Sequence, residues 1–316
     1  MQTKVDQTYI DDPLRILRCI RFQTRFGFTI SDETYKAMKR NVQRLKIITK
    51  ERIQAEFNKI LMSENAVMGI NMLHDIGATT FIVPEFEKCY GLTQNRYHFG
   101  DVAEHTIAVL DYHCKHFDAD LTERLTCFLH DIGKTVTRTV KDGKVHFYDH
   151  EYVGAEMSGD ILRELKYDND TIKKVQFLIR NHMRTKQAGD GAKYMKDKSL
   201  HKLLYECKTF EMFKSLMRII ECDNEAHAKD CCIHNQYSEL VAKVELEGSH
   251  SKMFGYKPPV TGEDIMSVLG LEPGPIIAEI NKRLLSQAFM DPEISKERCI
   301  KLLPGIKKQV EQVLKK

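Results

Sequence analysis

The sequence predicts an all-α protein that carries one small β-hairpin. Apolar residues recur at helical spacing through the chain, as in residues 121–134 and 216–223, which predicts amphipathic or buried helices. An Asp142-Gly143 turn flanked by residues 137–140 and 145–148 predicts the hairpin. A hydrophobic content of 42% and a charged content of 29% are ordinary for a globular chain, so they allow this fold.

The chain is expected to divide into three helical segments. Residues 1–90 form the first segment, residues 91–245 form a helical core that bears the hairpin, and residues 246–316 form a tail. The tail follows a stretch containing Gly, Ser and Pro between residues 248 and 262, which is typical of a link between elements. A chain of 316 residues is long enough for two or three packed units.

Composition argues against a membrane protein and against a disulfide-stabilised secreted one. The mean hydropathy is −0.40, no apolar run reaches the roughly 20 residues that cross a bilayer, and the first residues lack a signal-peptide core. Nine scattered cysteines, including adjacent Cys231 and Cys232, form neither a zinc pattern nor a disulfide framework. We therefore expect a cytoplasmic protein in which cysteines serve as small apolar residues.

The middle of the chain carries a spaced set of metal-ligand side chains, each at the end of an apolar element or inside one. The set is His105, His130, Asp131, His150, His182 and Asp223. Val102 and Val109 flank His105 at helical spacing, so that imidazole should point inward. Imidazoles and carboxylates without thiolates suit Mn²⁺, Ni²⁺, Fe²⁺, Co²⁺, Zn²⁺ or Mg²⁺, and such an ion polarises a phosphoryl oxygen and lowers the pKa of bound water.

Gly133 and a repeated four-residue string bear on this ligand set. Gly133 follows His130 and Asp131 and is interpreted as the stop of the apolar helix that delivers them. The string from His74 to Gly77 nearly repeats the string from His130 to Gly133, but it has no suitable histidine upstream. We interpret the first copy as a coincidence at a helix end. Taken singly, His150 or His182 is better explained as a hydrogen-bonded core or surface residue.

The order of these ligands resembles that of the HD-domain phosphohydrolase superfamily, over residues 97–230 or so. The resemblance implies that His105, His130, Asp131 and Asp223 hold one metal ion, and that His150 and His182 complete a second position bridged by Asp131. A single ion is equally compatible. It also implies a catalytic role for Asp131. Lys134 would steady a substrate phosphate, or would face solvent as helix-terminal lysines commonly do.

Residues 11–28 predict a helix with one cationic face. Pro13 stands near the helix start, and four arginines fall within roughly a 120° arc opposite an apolar side formed by Ile16, Leu17 and Ile20. The arginines are Arg15, Arg18, Arg21 and Arg25. A solvated basic face is the alternative interpretation. Further basic residues follow at Lys36, Lys39, Arg40, Arg44, Lys46, Lys50 and Arg52, and in the tail at Lys301, Lys307, Lys308, Lys315 and Lys316.

This run resembles the neck of the class II tRNA nucleotidyltransferase and poly(A) polymerase family. The resemblance implies that Asp11, Asp12 and Arg15 form the nucleotide-binding motif, in which Asp12 and Arg15 read the base of CTP or ATP. Asp11 stands where the family usually has glutamate. By the same resemblance Arg18, Arg21, Arg25 and Arg52 contact RNA, most simply tRNA. Arg52 and Glu56 are one helical turn apart and are expected to pair.

The resemblance continues in residues 82–86 and 257–275, which are similar to the family's body and tail, so it covers nearly the whole chain. The family's nucleotidyltransferase head has no counterpart here, because a Gly-Ser hairpin start, an Asp-x-Asp pair and an Arg-Arg-Asp motif are missing. We therefore expect no nucleotidyl transfer by this chain alone. A truncated chain is favoured, and a head supplied in trans is the alternative.

Three hypotheses follow. The chain is a metal-dependent phosphohydrolase of HD type acting on 2′,3′-cyclic or nucleotide phosphates, or the RNA-binding and nucleotide-binding part of a CCA-adding or poly(A) polymerase, or a non-catalytic RNA-binding fragment with an inert HD fold. The first two are compatible in one polypeptide. Their combination is our expectation, with RNA, CTP or ATP and a phosphoester as partners and no membrane.

Overall fold

The computed structural model describes residues 4–95, 100–184, 195–228, 236–246 and 248–314. These residues are mostly helical, and the prediction of an all-α fold with one small hairpin is confirmed. Two 3-10 helices, Val42–Ile47 and Pro84–Cys89, connect helices of the first ninety residues. Cys231, Cys232, Lys315 and Lys316 lie outside the described residues.

The regular elements are, in chain order, α1 (Lys4–Asp11), α2 (Arg15–Phe26), α3 (Asp32–Asn41), α4 (Lys50–Leu61), α5 (Ala66–Asp75), α6 (Thr79–Ile82), α7 (Val102–His116), α8 (Leu121–Leu129), α9 (Lys134–Thr137), β1 (Arg138–Lys141), β2 (Lys144–Phe147), α10 (His150–Glu164), α11 (Asn169–Asn181), α12 (Asp197–Cys207), α13 (Phe210–Glu225), α14 (Gln236–Leu246), α15 (Gly248–Ser251), α16 (Gly262–Leu269), α17 (Pro275–Ala288) and α18 (Lys296–Leu314).

The chain forms two compact units. The first comprises Met1–Gln187 with Ser215–Gln236, and the second comprises Ala188–Lys214 with Tyr237–Lys316. All of the predicted metal-ligand and neck residues belong to the first unit. The division into segments 1–90, 91–245 and 246–316 stays a prediction.

The apolar face of α2 belongs to the core of the first unit, as its pattern predicts. Ile16, Leu17 and Ile20 are fully buried, and α2 packs against α4 and α5. The helix ends at Phe26 because Gly27 adopts the left-handed conformation, with φ of 68°, and its N–H donates to the carbonyl of Gln23. Because the apolar face of α2 is buried, the opposite, cationic face is directed toward solvent.

The hairpin matches the prediction with a shift of one residue at each strand. β1 and β2 pair antiparallel, with Val140 opposite Val145 and Lys141 opposite Lys144. Asp142 and Gly143 both have positive φ, 52° and 70°, which matches the two-residue turn that suits the twist of paired strands. β1 begins at Arg138 rather than at residue 137, because Thr137 completes the short helix α9.

The second unit has its own apolar core. Ile265, Ile280, Leu284 and Leu303, from α16, α17 and α18, are almost fully buried there. A capping box between Thr261 and Asp264 begins α16, and Pro275 occupies the first turn of α17. No helix among the described residues is both long and apolar enough to span a lipid bilayer.

Candidate functional site

The predicted metal ligands come from five helices that surround one buried point of the first unit. A capping box between Asp101 and Glu104 begins α7, which places His105 on the inner face of that helix. α8 packs against α7 and α11. His130 directly follows the end of α8, and His182 directly follows the end of α11. His150 is the first residue of α10, as predicted, and Asp223 lies in the last turn of α13.

Asp131 lies at the centre of this arrangement. Its Oδ2 is 3.2 Å from Nε2 of His130 and 3.6 Å from Nε2 of His105. Its Oδ1 is 3.4 Å from Nε2 of His150 and 3.9 Å from Nε2 of His182. Each carboxylate oxygen therefore faces a different pair of imidazoles.

Asp223 contacts the first of these pairs. Its Oδ1 lies 3.1 Å from Nε2 of His105 and 4.0 Å from Nε2 of His130. Two buried triads result, within which all ligand atoms lie within 4.8 Å of one another; they are His105–His130–Asp223 and Asp131–His150–His182. The structure thus brings together all six side chains that the sequence singles out.

The four imidazoles share a hydrogen-bonding pattern that exposes Nε2. Each Nδ1 lies close to a backbone carbonyl oxygen, at 3.4 Å for His105 and Ala226, 2.9 Å for His130 and Cys127, 2.8 Å for His150 and Phe147, and 2.6 Å for His182 and Ile179. A carbonyl only accepts, so Nδ1 donates the proton in each pair, which leaves the Nε2 lone pair of neutral His130, His150 and His182 without a proton.

Three of these lone pairs are buried without a hydrogen bond. Within the described part of the chain, Nε2 of His130, His150 and His182 has no hydrogen-bond partner. Buried polar atoms are nearly always satisfied, so three orphaned acceptors directed at one carboxylate indicate a missing cation. The donor set of imidazole nitrogens and carboxylate oxygens, held by backbone carbonyls behind the rings, fits a divalent metal ion.

Burial keeps most of these imidazoles neutral. It lowers the pKa of His105 to about 4 and that of His182 to about 3, and it also lowers the pKa of His150. Burial opposes protonation of His130 as well, but the adjacent Asp131 carboxylate outweighs it and raises that pKa. Burial acts against ionisation of Asp131, yet Lys134 and the imidazoles around it hold its pKa well below the usual range.

Lys134 does not face solvent, so that expectation is wrong. Its side chain is 3% exposed, its Nζ lies 2.6 Å from Oδ2 of Asp131, and it donates to Oε1 of Gln94 at 2.7 Å. α9 begins at Lys134, one turn after Asp131, which brings the ammonium onto the carboxylate. That Lys134 binds a substrate phosphate stays a prediction. The ammonium group of Lys134 does lie at the ligand cluster.

Gly133 serves close packing rather than a left-handed helix stop. α8 ends before it, but its φ of −63° is an ordinary helical value. A Cβ at this position would lie 2.2 Å from the carbonyl oxygen of His150 and 2.6 Å from the amide nitrogen of Gly154. Only a glycine lets the turn after Asp131 approach the first turn of α10.

A buried network beside the site is not predicted by the sequence. Glu123 is 1% exposed, and its Oε2 lies 2.8 Å from Nε2 of His113. Its Oε1 accepts hydrogen bonds from Oγ of Ser215 at 2.6 Å and from Nη1 of Arg218 at 3.0 Å. The network joins α7, α8 and α13, three helices that carry or deliver ligands. A charged residue within the apolar run of α8 is the one sequence signal for it.

His74, in the repeated tetrapeptide, has other partners. Its Nδ1 lies 3.0 Å from Oε2 of Glu87, and its ring stacks on Tyr90 with centroids 3.6 Å apart. His74 and Asp75 belong to neither ligand triad.

The predicted pair between Arg52 and Glu56 is wrong. Arg52 reaches Asp12 instead, with Nη2 3.5 Å from Oδ1, and Glu56 receives Nη1 of Arg21 at 3.1 Å from Oε2. Pairs within one exposed helix contribute only about 0.3–0.5 kcal/mol, so partners presented by a packed neighbouring helix displace them. Arg21 is consequently half-buried, whereas Arg15, Arg18 and Arg25 are exposed.

The proposed nucleotide motif lies at the junction of α1 and α2. Oδ1 of Asp12 accepts the N–H of Leu14 at 3.2 Å, which fixes the carboxylate at the start of α2. Nη1 of Arg15 lies 3.4 Å from the carbonyl oxygen of Thr8, and Asp11 accepts a hydrogen bond from Gln7 at 2.7 Å. Arg15 is exposed and Asp12 is partly exposed, so both remain accessible from solvent.

Sequence models of two families match the chain. Residues 27–90 match the "Probable RNA and SrmB-binding site of polymerase A", and residues 102–211 match the HD domain. An A-adding tRNA nucleotidyltransferase of Deinococcus radiodurans is 30% identical over 283 residues, which are 86% of this chain and 63% of the relative. The resemblance to the tRNA nucleotidyltransferase family is thereby confirmed. The chain carries that family's RNA-binding and HD regions.

Further tRNA nucleotidyltransferases are similar to the chain. A CC-adding enzyme of Thermus thermophilus is 26% identical over 289 residues, covering 89% of this chain and 63% of the relative. The CCA-adding enzyme of Bacillus stearothermophilus, solved in complex with CTP, shares the fold with a TM-score of 0.65 at 16% identity, over 98% of this chain and 65% of that one. The chain therefore spans somewhat less than two thirds of these relatives.

Proposed function

We propose that the chain binds RNA and nucleotide through its first helices and hydrolyses phosphoesters at the Asp131 cluster. The observation that carries the hydrolytic part is the position of Asp131, whose two oxygens each face the Nε2 atoms of a pair of buried imidazoles. The substrates are 2′,3′-cyclic phosphates or nucleotide phosphates. A divalent ion of the series Mn²⁺, Ni²⁺, Fe²⁺, Co²⁺, Zn²⁺ or Mg²⁺ is the cofactor.

The residues of the cluster have distinct roles in this proposal. His105, His130 and Asp223 would hold one metal ion, His150 and His182 would complete a second position, and Asp131 would serve both. When bound, the metal supplies Lewis acidity toward a phosphoryl oxygen and an acidified water. The carbonyl oxygens behind the imidazoles keep Nε2 as the ligating atom. Lys134 places an ammonium beside Asp131, where it would neutralise charge on a substrate phosphate.

Hydrolysis of 2′,3′-cyclic AMP tests this proposal. The chain is treated with a chelator, and turnover is measured after Mn²⁺, Ni²⁺ or Mg²⁺ is added back. Asp131→Ala should lower the rate at least about 100-fold, because it removes a ligand from both metal positions. Asp75→Ala, from the repeated tetrapeptide, is the matched control and should leave the rate unchanged. Metal-independent turnover, or an equal loss in both variants, would refute the proposal.

A second function, recognition of CTP or ATP, is favoured by the placement of Asp12 and Arg15. Both side chains are accessible at one helix junction, and Asp12 is held there by Leu14 N–H and Arg52. Asp12→Ala should weaken nucleotide binding by about 10- to 100-fold, as expected for loss of hydrogen bonds to a charged group. Calorimetric titration with CTP and ATP measures this, and exposed Asp75→Ala, which lies outside the motif, is the control.

A titration that shows no specific nucleotide binding would require a different function for these helices. If the wild-type chain binds neither nucleotide, or if Asp12→Ala binds like wild type, base recognition by this motif is excluded. The remaining alternatives are then an RNA-binding part with an inert HD fold, or a polymerase subunit that needs a head in trans.

A further inference from the structure

Three phenylalanines form an exposed row on the second half of α2 and just after it. Phe22, Phe26 and Phe28, here called the Phe ladder, are 38%, 52% and 62% exposed. The rings of Phe22 and Phe26 stack with centroids 6.0 Å apart and planes at 21°, and Phe28 lies 5.4 Å from Phe26. Contiguous exposed apolar side chains commonly mark an interaction surface.

Arginines alternate with these rings. The guanidinium carbon of Arg21 lies 4.4 Å from the ring centroid of Phe22, and that of Arg25 lies 5.3 Å from the centroid of Phe26. Glu56 pairs with both Arg21 and Lys59, whereas Arg25 has no acidic partner within the described ranges. The ladder therefore presents aromatic faces and an uncompensated positive charge together.

A basic cleft adjoins the ladder. It has a volume of about 390 Å³ and is lined by Arg21, Thr24, Arg25, Lys59, Met62, Ser63 and Glu64. Three lining side chains are cationic and one is anionic, and two hydroxyl groups add hydrogen-bonding capacity. Arg21 and Arg25 belong to both the cleft and the ladder, so the two features form one continuous surface.

We propose that the Phe ladder and the cleft bind single-stranded RNA, with bases stacked on the exposed rings and a backbone phosphate in the cleft. Aromatic side chains beside arginines are the combination that holds unpaired bases without demanding a sequence. The positive charge of the surface suits a polyanion better than an apolar protein segment. This inference rests on the RNA-binding part of the proposed function and extends it to the type of strand and to the contacting residues.

The chain contains no tryptophan, so a single substitution supplies an optical reporter. In Phe26→Trp the indole should be quenched when an oligoadenylate of about ten nucleotides is added, because an adenine stacks on it. Val140, on β1, is 59% exposed, and Val140→Trp is the control whose fluorescence should not change. Equal responses of the two tryptophans would overturn the stacking contact.

Affinity measurements separate stacking from charge. Phe26→Ala should weaken oligoadenylate binding about tenfold while the salt dependence stays the same. Arg25→Gln should instead reduce the slope of log affinity against log salt by about one. Val140→Ala should bind like wild type, and thermal unfolding checks that each variant folds.

The outcomes distinguish this inference from the proposed function. If the wild-type chain binds oligoadenylate and both Phe22→Ala and Phe26→Ala bind it equally well, the ladder inference is wrong. If the wild-type chain binds neither oligoadenylate nor tRNA, the RNA-binding part of the proposed function is wrong as well.

Discussion

Glu123 shows how one buried carboxylate organises the surroundings of the candidate metal centre. It is ionised although it is buried, because hydrogen bonds from His113 and Ser215 and the charge of Arg218 outweigh burial and lower its pKa. Its partners lie on α7 and α13, which also carry His105 and Asp223. The network therefore fixes the relative positions of helices that present ligands, without itself touching the ligand cluster.

Glu123→Gln should lower the free energy of unfolding at pH 7 by about 2–4 kcal/mol, because Arg218 and His113 lose a buried charge partner. Since the folded-state pKa of Glu123 lies below its usual value, its stabilisation is complete above about pH 4.5 and is lost as pH falls through the folded-state pKa. Denaturant unfolding at several pH values measures the difference between variant and wild type. Exposed Glu239→Gln is the control, and a difference that widens toward acid would contradict the assignment.

At the scale of elements, the turn between α8 and α9 determines whether the two halves of the cluster meet. This turn holds Asp131, and its Gly133 lies directly against the first turn of α10, where His150 begins the helix. The hairpin between them brings α10 back onto this turn. The close contact at Gly133 therefore brings His150 near Asp131, although the two residues are far apart in the sequence.

Gly133→Ala should displace α10, because its Cβ would lie 2.2 Å from the backbone oxygen of His150, which is not at the end of a flexible side chain. We expect a loss of about 1–3 kcal/mol in the free energy of unfolding and weaker metal binding. Gly305→Ala, where nothing lies within 4 Å of the new Cβ, is the control and should be neutral or slightly stabilising. Thermal unfolding and metal titration of both variants would show this, and equal behaviour would refute the packing argument.

Elements also mark where sequence reasoning succeeds and where it fails. The apolar face of α2 and the turn of the hairpin are local patterns, so they are predictable from neighbouring residues. The partner of Glu56 is not, because Arg21 approaches it from another helix, 35 positions away in the sequence. The burial of Lys134 is also not predictable from neighbouring residues, because it depends on the tertiary position of Gln94.

For the whole molecule, the repeated tetrapeptide shows that a short motif alone does not predict a metal site. His74–Gly77 and His130–Gly133 are the same four residues, yet Glu87 and Tyr90 engage the first histidine and four metal-ligand side chains surround the second pair. The order of the six ligands along the chain, and not any single string, predicts the cluster. The Glu123 network leaves no comparable signature, since its contacts join α8 to α7 and to α13.

Metal binding should stabilise the whole chain by linkage. A ligand present at 100 times its dissociation constant adds about 2.7 kcal/mol to the free energy of unfolding, so adding Mn²⁺ to the chelated chain should raise the midpoint of thermal unfolding by several degrees. Asp131→Ala should show no such rise. An identical rise in wild type and Asp131→Ala would mean that the ion binds elsewhere.

The most direct test of the central claim is the metal content of the purified chain. After chelation, incubation with Mn²⁺ and removal of free ion, plasma emission spectroscopy should find one or two ions per chain in wild type and in Asp75→Ala, and none in Asp131→Ala. One ion or two would distinguish a mononuclear centre from a bridged pair. Equal metal content in all three proteins, or none in wild type, would contradict the assignment of Asp131 and its four histidines as a metal centre.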